Sequence, residues 1–400
     1  MNKISSRMAA VLPSASSAAS ARARELKAAG RDIINLSVGE PDFDTPEHVI
    51  RAASEAMSAG KTRYTNVDGT PELKAAVIRK FKDENGLDFA ANQIVVGTGA
   101  KQVIFNVLLA TLDAGDEVII PAPHWVSYPD MVRIAEGTPV VVECRAEDGF
   151  KLSAATLKAA ITEKTRWLVI NSPCNPTGAV YGEADLRALA DVLLEHPQVG
   201  ILSDDIYEHV VFGETSFHSI AAVEPRLLER TVAVNGVSKA YCMTGWRLGY
   251  GGGPAEVMRE VRKLQSQSTS CASSISQAGA LAALEGPQDH LESHRAVYRR
   301  RRDLVLPKLV EAGLTCEAPE GAFYILAGCH DFLGKTSAAG TKIEDDADFT
   351  RVILEEGEVA MVPGTAFGAP GYVRLSFAVD DARLMEAASR IAKICSALRA

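Results

Sequence analysis

Between residues 94 and 285 short β-branched runs alternate with longer stretches whose apolar residues recur at helical spacing. Ile94-Val-Val-Gly97 leads into a helical pattern over 101–112, and Glu117-Val-Ile-Ile120 into one over 124–135. Val140-Val-Val142 precedes a helical stretch at 154–161, and Arg166-Trp-Leu-Val-Ile-Asn171 one at 183–194. Runs at 199–203, 231–236 and 248–253 complete a set of seven. Strands that are apolar throughout and separated by helices predict a mostly parallel sheet covered on both faces, with functional groups at the carboxyl ends of its strands.

Past residue 284 the pattern changes. A long arginine-rich helix is predicted over roughly 288–312, with the basic cluster Arg299 to Arg302 on a solvated face. Strand-like runs at 322–326, 359–362 and 372–377, a helix near Phe349 and a terminal helix come next; 328–346, polar and glycine-bearing, reads as a loop. The expected class is α/β: a large domain with a mostly parallel seven-stranded sheet, plus a smaller α+β domain drawn from both chain termini. The expected boundaries are 1–45 for the N-terminal arm, 46–287 for the large domain and 288–400 for the small one.

Composition narrows the function classes. The chain has 400 residues, 47% hydrophobic and 23% charged, as in globular proteins. Net charge is −9 from 42 basic and 51 acidic residues, with no basic block, which argues against nucleic acid as a partner. Seven cysteines without a Cys-x-x-Cys pair suggest reduced thiols. The first 24 residues carry Lys3, Arg7, Arg22 and Arg24 and no acid, as transit peptides do. A helix over 21–30 running straight into the strand at 33–36 reads instead as part of the fold, and no stretch approaches a membrane span, so the cytoplasm is expected.

Several strand ends carry chemistry. Ser238-Lys239 follows the buried run at 231–236; its amine either reaches water or is buried, where a lowered pKa makes it a nucleophile toward carbonyls. Gly97-Thr-Gly99-Ala100-Lys101, between strand and helix, suits a phosphate at a helix N-terminus, or is simply a tight turn. Asn171-Ser-Pro-Cys-Asn175-Pro-Thr-Gly178 fixes the Asn175 amide in an irregular segment at the sheet edge. Asp204-Asp205 ends another strand; two adjacent acids repel unless one faces a cation or caps a helix, and Tyr207 falls on the side of Asp204 if a helical turn comes after them. In 372–377, Arg374 lies opposite Val373, Leu375 and Phe377, placed for a carboxylate ligand or an internal salt bridge. Trp125 stacks on a flat ring or fills the core. His290 and His294 lack the His-Glu-x-x-His pattern, and no metal is expected.

In this order and spacing, with Ser37-Val-Gly39-Glu-Pro-Asp and Arg63-Tyr64-Thr added, the motifs resemble the fold type I pyridoxal-phosphate enzymes, class I aminotransferases. Within these the chain is similar to the prokaryotic aspartate aminotransferase subgroup. The resemblance implies pyridoxal phosphate bound covalently by Lys239, with Asp204 pairing its ring nitrogen and Tyr207 and Asn175 on its phenolic oxygen. It implies Trp125 stacked on the ring, and the phosphate on Gly99, Ala100, Lys101 and Arg247. Arg374, with Asn175, Trp125 and Gly39, would take the substrate α-carboxylate, and Tyr64 would reach the other subunit's phosphate in a homodimer. The implied reaction is ping-pong transfer of an amino group between aspartate or glutamate and 2-oxoglutarate or oxaloacetate. Prephenate or aromatic substrates, or lyase chemistry on the same fold, are alternatives.

The sequence departs from the family at four places. Gly236 stands where the better-known branch has a phosphate-binding serine, His124 where the subgroup shows tyrosine, and Leu12 where it often shows lysine. The region 265–270 has no arginine for a distal carboxylate, and Lys101 is the candidate substitute.

Overall fold

The computed structural model describes residues 4–11, 13 and 15–399. Its strands, in chain order, are β1 (Ile34–Asn35), β2 (Ile94–Gly97), β3 (Glu117–Ala122), β4 (Thr138–Glu143), β5 (Thr165–Asn171), β6 (Gly200–Asp204), β7 (Thr231–Gly236), β8 (Gly249–Gly252), β9 (Thr315–Cys316), β10 (Tyr324–Gly328), β11 (Val359–Ala360), β12 (Val362–Pro363) and β13 (Tyr372–Ser376). Seven of them form one sheet in the order β2-β8-β7-β6-β5-β3-β4, parallel except for β8, which runs against both neighbours. A second, antiparallel sheet has the order β12-β13-β10-β9, and β1 pairs with β11 in parallel. The architecture is α/β with a small antiparallel sheet beside the large one.

The local chemistry of the helices that flank the site is readable. Of the helices α1 (Ala15–Ala28), α2 (Glu47–Ser58), α3 (Pro71–Asn85) and α4 (Ala100–Thr111), α3 has the fullest set of signals. Thr70 caps it by accepting from the Leu73 N–H, Pro71 opens it, and Gly86 ends it at φ 68°. The start of α4 is pressed onto β8: a side chain at Gly249 would stand 2.1 Å from the Ala100 nitrogen. The glycine there brings the N-terminus of α4 against the sheet edge.

β2 and β7 are buried along their whole length, which explains the unbroken apolar runs. β1 joins the N-terminal segment to the C-terminal part of the chain. Asp32 strengthens that seam with ion pairs to Arg383 (2.7 Å) and Arg390 (2.5 Å). All seven cysteines are free thiols, and no helix among the described residues is long and apolar enough to cross a membrane.

Two expectations need correction. The helix read from 124 begins at Tyr128, because the His124 N–H is drawn to the Phe367 carbonyl (2.9 Å) and the chain turns before it coils. The basic cluster is not wholly solvated. Arg301 is buried, gripping Asp42 through both Nη atoms (2.7 and 2.8 Å) and Asp381 through Nε (3.1 Å). The loop over 328–346 is tied down by buried Phe332 and Ile343 and by backbone pairing of Thr336 with Arg399.

Candidate active site

Lys239 follows β7, and its Nζ donates to the Gly39 carbonyl at 2.6 Å, 5.7 Å from the centre of the Tyr207 ring and 6.0 Å from that of Phe323. Among the described residues it has no ion pair. Desolvation lowers its pKa to about 8; the Glu40 and Asp204 charges oppose the shift, while Arg374 and Arg247 add to it. An amine so placed is deprotonated often enough near neutrality to act as nucleophile and base.

Asp204 ends β6 and is buried. Tyr128 donates to its Oδ2 at 2.6 Å, and the Ile206 N–H approaches its Oδ1 at 3.4 Å. Burial raises its pKa to about 6, against those hydrogen bonds and the Lys239 charge. Asp205 has a different environment. It accepts from Ser203 Oγ (2.7 Å), and burial lifts it further, to about 8. The repulsion expected of adjacent acids is thus relieved largely by keeping Asp205 protonated. After Asp204 the chain makes a turn, with Glu208 N–H donating to Asp205 O (2.9 Å), rather than a helix needing a cap.

That turn carries Tyr207, whose hydroxyl lies 2.7 Å from the hydroxyl of Tyr324 on β10. Arg374, on β13, is 2% exposed. Its Nη1 donates to Asn175 Oδ1 (3.0 Å) and its Nη2 to the Ser37 carbonyl (2.6 Å), and its guanidinium lies over the rings of Tyr324 (4.5 Å) and Phe367 (4.9 Å). No carboxylate pairs with it among the described residues, so the internal salt bridge is not formed. Asn175 is held from behind, its N–H donating to Asn171 Oδ1 at 2.9 Å.

On the other side of Lys239, α4 opens at Ala100, where the first N–H groups have no carbonyl one turn back. Arg247 crowds the same corner, with Nη2 2.7 Å from where a Gly99 side chain would start. Backbone N–H groups, a helix dipole and a guanidinium on one spot can hold a phosphate. Lys101 Nζ sits 4.6 Å over the Trp125 ring and 3.3 Å from Ser127 Oγ; burial and the Arg247 charge lower its pKa. Lys101 and Arg247, with Phe105, Ser127 and Thr269, line a cleft of about 490 Å³. Tyr64 stands apart, 90% exposed.

Thus Gly39, Trp125, Asn175, Asp204, Tyr207, Lys239 and Arg374 form linked contacts, and Gly99, Ala100, Lys101 and Arg247 form an adjoining anion corner. His124 turns its Nδ1 to the Trp125 carbonyl (3.0 Å), and Leu12 lies outside the described residues. Tyr324, Tyr128 and Ser37 join the site without having been singled out from sequence. Gly236 has a structural reason: a side chain there would meet backbone atoms of the paired strand, Gly249 Cα at 3.0 Å and Leu248 O at 3.2 Å. Glu84, Glu208 and His209 are close enough to share a cation, but the Lys80 ammonium already bonds Glu208 and pairs with Glu84 at 3.4 Å.

Comparison with known proteins yields consistent relatives. The sequence profile of aminotransferase class I and II matches residues 31–391. An aspartate/prephenate aminotransferase of Cereibacter sphaeroides is 54% identical over 99% of both chains, and an aspartate aminotransferase of Rhizobium meliloti is 54% identical over 94% of this chain and 92% of its own. Among solved structures, aspartate aminotransferase from Rhizobium meliloti superposes with TM-score 0.96 at 51% identity over all of both chains. The Thermus thermophilus enzyme with maleate gives 0.93 at 44% identity, over 98% of this chain and 100% of its own.

Proposed function

The chain belongs to the aminotransferase class I and II family, and from that membership we propose that it is a pyridoxal-phosphate-dependent aspartate aminotransferase, acting by a ping-pong mechanism as a cytoplasmic homodimer. The observation that carries the reading is Lys239: a covered amine with its pKa drawn to about 8, no ion pair, and Gly39 O as its hydrogen-bond acceptor. The surrounding groups fit the cofactor. Burial leaves the Asp204 carboxyl raised to about 6, a position that a protonated ring nitrogen would reverse. The anion corner at Gly99, Ala100, Lys101 and Arg247 fits its phosphate, and Trp125 its ring face. Bound there, pyridoxal phosphate supplies an electron sink for the substrate Cα.

The chain's own groups then divide the work. Arg374 binds the α-carboxylate beside Trp125 and the Gly39 backbone. Asn175, its Oδ1 engaged by Arg374, has its amide N–H left to donate and, with Tyr207, would hold the cofactor's phenolic oxygen. Lys239, an amine with its pKa drawn down at this spot, would be the base that takes the proton from the substrate Cα and hands it back. Lys101 faces the distal carboxylate; maleate, present with the Thermus thermophilus relative, is a dicarboxylate. Tyr64, exposed on this chain, would reach the phosphate held by a partner subunit. Prephenate as a second acceptor is supported by the name of the Cereibacter sphaeroides relative. Residues 46–287 form the cofactor domain and 1–45 with 288–400 the smaller one, a division supported by the β1–β11 pairing.

Borohydride reduction of the pyridoxal-phosphate-loaded protein, followed by peptide mapping, tests the assignment. The label is expected on Lys239, and Lys239→Ala should lose both the label and transamination between aspartate and 2-oxoglutarate. A label elsewhere, or transamination retained by Lys239→Ala, overturns it.

A further inference from the structure

Tyr324 lies on β10, between two groups that belong to different sheets. Its hydroxyl is 2.7 Å from that of Tyr207, at the end of the large sheet, and its ring lies beneath the Arg374 guanidinium at 4.5 Å, on β13 of the small sheet. It is fully buried. Its hydroxyl also borders Gly39, where a Cβ would come within 2.7 Å of the oxygen, and Gly39 is the residue whose carbonyl receives Lys239. One side chain therefore touches the phenol nearest Lys239, the carboxylate-binding arginine and the segment that holds the lysine.

We propose that Tyr324 is a positioning residue with two separable halves: its hydroxyl donates to Tyr207 Oη, so that the Tyr207 proton points into the site, and its ring fixes the plane of Arg374 for the α-carboxylate. The inference rests on the proposed function and deepens it. A phenol that already accepts a hydrogen bond is a stronger donor through its own proton, since bonds in a chain polarise one another. Tyr207, receiving from Tyr324, would therefore stabilise negative charge on the cofactor's phenolic oxygen better than an unassisted tyrosine. The guanidinium needs the ring for another reason. With Asn175 and Ser37 taking Nη1 and Nη2 and no acid opposite among the described residues, the Tyr324 and Phe367 faces limit its tilt.

The test uses the pyridoxal-phosphate-loaded protein and two variants, Tyr324→Phe and Tyr324→Leu. Absorbance between 300 and 500 nm is titrated against pH, and maleate affinity is read from the change it causes in that absorbance. Tyr324→Phe deletes the donor and keeps the ring. Its midpoint should move upward by about half a pH unit or more, about threefold in the proton-binding constant, because the phenolic anion is less well stabilised. Tyr324→Leu should show the same shift and in addition bind maleate about tenfold more weakly than Tyr324→Phe. A general packing defect would not divide its effects in this way. A midpoint in Tyr324→Phe equal to that of the unaltered protein overturns the hydroxyl half, and equal maleate affinities in the two variants overturn the ring half. If the unaltered protein takes up no cofactor absorbance, the proposed function fails first and the inference with it.

Discussion

Replacing Arg374 by methionine separates a binding arginine from a structural one. The guanidinium is 2% exposed, with two acceptors, two aromatic faces and, among the described residues, no carboxylate. Burying a lone cation costs several kcal/mol even after the surroundings relax. Two hydrogen bonds from a charged donor return about 1.5–3 kcal/mol each, and each ring contact adds about 1 kcal/mol. In the ligand-free protein these terms come close to cancelling. Methionine keeps the length and removes the charge, leaving Asn175 Oδ1 and Ser37 O without a donor at about 1–3 kcal/mol each. The desolvation cost disappears together with the contacts that offset it, so ligand-free stability should fall by what the two orphaned acceptors cost, about 2–6 kcal/mol. Carboxylate binding should suffer as well: loss of a buried, charge-assisted contact is worth about 3–5 kcal/mol, or on the order of 10²- to 10³-fold in affinity. Denaturant unfolding at fixed protein concentration gives the first quantity, and titration of the cofactor-loaded protein with 2-oxoglutarate or maleate gives the second. A stability loss above about 6 kcal/mol together with less than a tenfold loss of affinity would show that Arg374 serves the fold, and the argument for it as a ligand group would be wrong.

Lys101→Ala should raise KM for aspartate far more than for a monocarboxylic amino acid; equal effects on both would remove Lys101 from the distal-carboxylate role. For His209, burial opposes the charged ring, but Glu208 and Glu84, each 3.2 Å away, outweigh it and raise the pKa from 6.5 to about 9. The stabilisation is therefore complete below pH 6.5 and is lost as pH rises through 9, on the order of 2 kcal/mol. Thermal melts of the ligand-free protein should decline over that window, and His209→Gln should flatten the decline; an unchanged slope would count against the pairing. Gly236→Ser should cost about 1–3 kcal/mol, because the new side chain meets strand backbone that cannot move aside cheaply, and it should not tighten phosphate binding. Unaltered melting of that variant would show that β7 and β8 have room to spare.

Most of the large sheet was legible because buried parallel strands are apolar along their whole length and alternate with amphipathic helices. The direction of β8 was not, since hydrophobicity carries no sign of direction, and its glycines encode closeness to α4 instead. Lys239, Asp204, Asn175 and Arg374 stood out because each is a polar group at or beside a buried strand, where the pattern leaves few structural uses for it. Tyr324 was hidden for the opposite reason. It lies in an apolar, aromatic run where a tyrosine reads as core, and its hydroxyl partner is 117 residues away. Tyr128, 76 residues from Asp204, was hidden in the same way. Arg301 was misread because a run of four arginines suggests solvent, whereas its acceptor Asp42 is 259 positions distant and is set by the folded chain alone.

The buried charges, compared with one another, argue for function over structure. Where this chain buries a charge for the fold, it supplies the opposite charge or, at Asp346, three hydrogen bonds from Thr365 and Gly371. Lys80 meets Glu208 with Asn85 completing the contact, Arg301 meets Asp42 and Asp381, and His209 lies between Glu208 and Glu84. Around Lys239 the rule is broken three times within one set of contacts. The amine is drawn down to about 8, the Asp204 carboxyl is pushed up to about 6, and Arg374 carries its charge with no acid beside it. Each shift has desolvation as its leading cause; a protonated ring nitrogen at Asp204 and a carboxylate at Arg374 would reverse two of them, and the neutral amine left by the third suits attack on a carbonyl carbon at Lys239. Groups left uncompensated together, in a protein that compensates its other deep charges, are better explained by what they are to bind than by what they hold together.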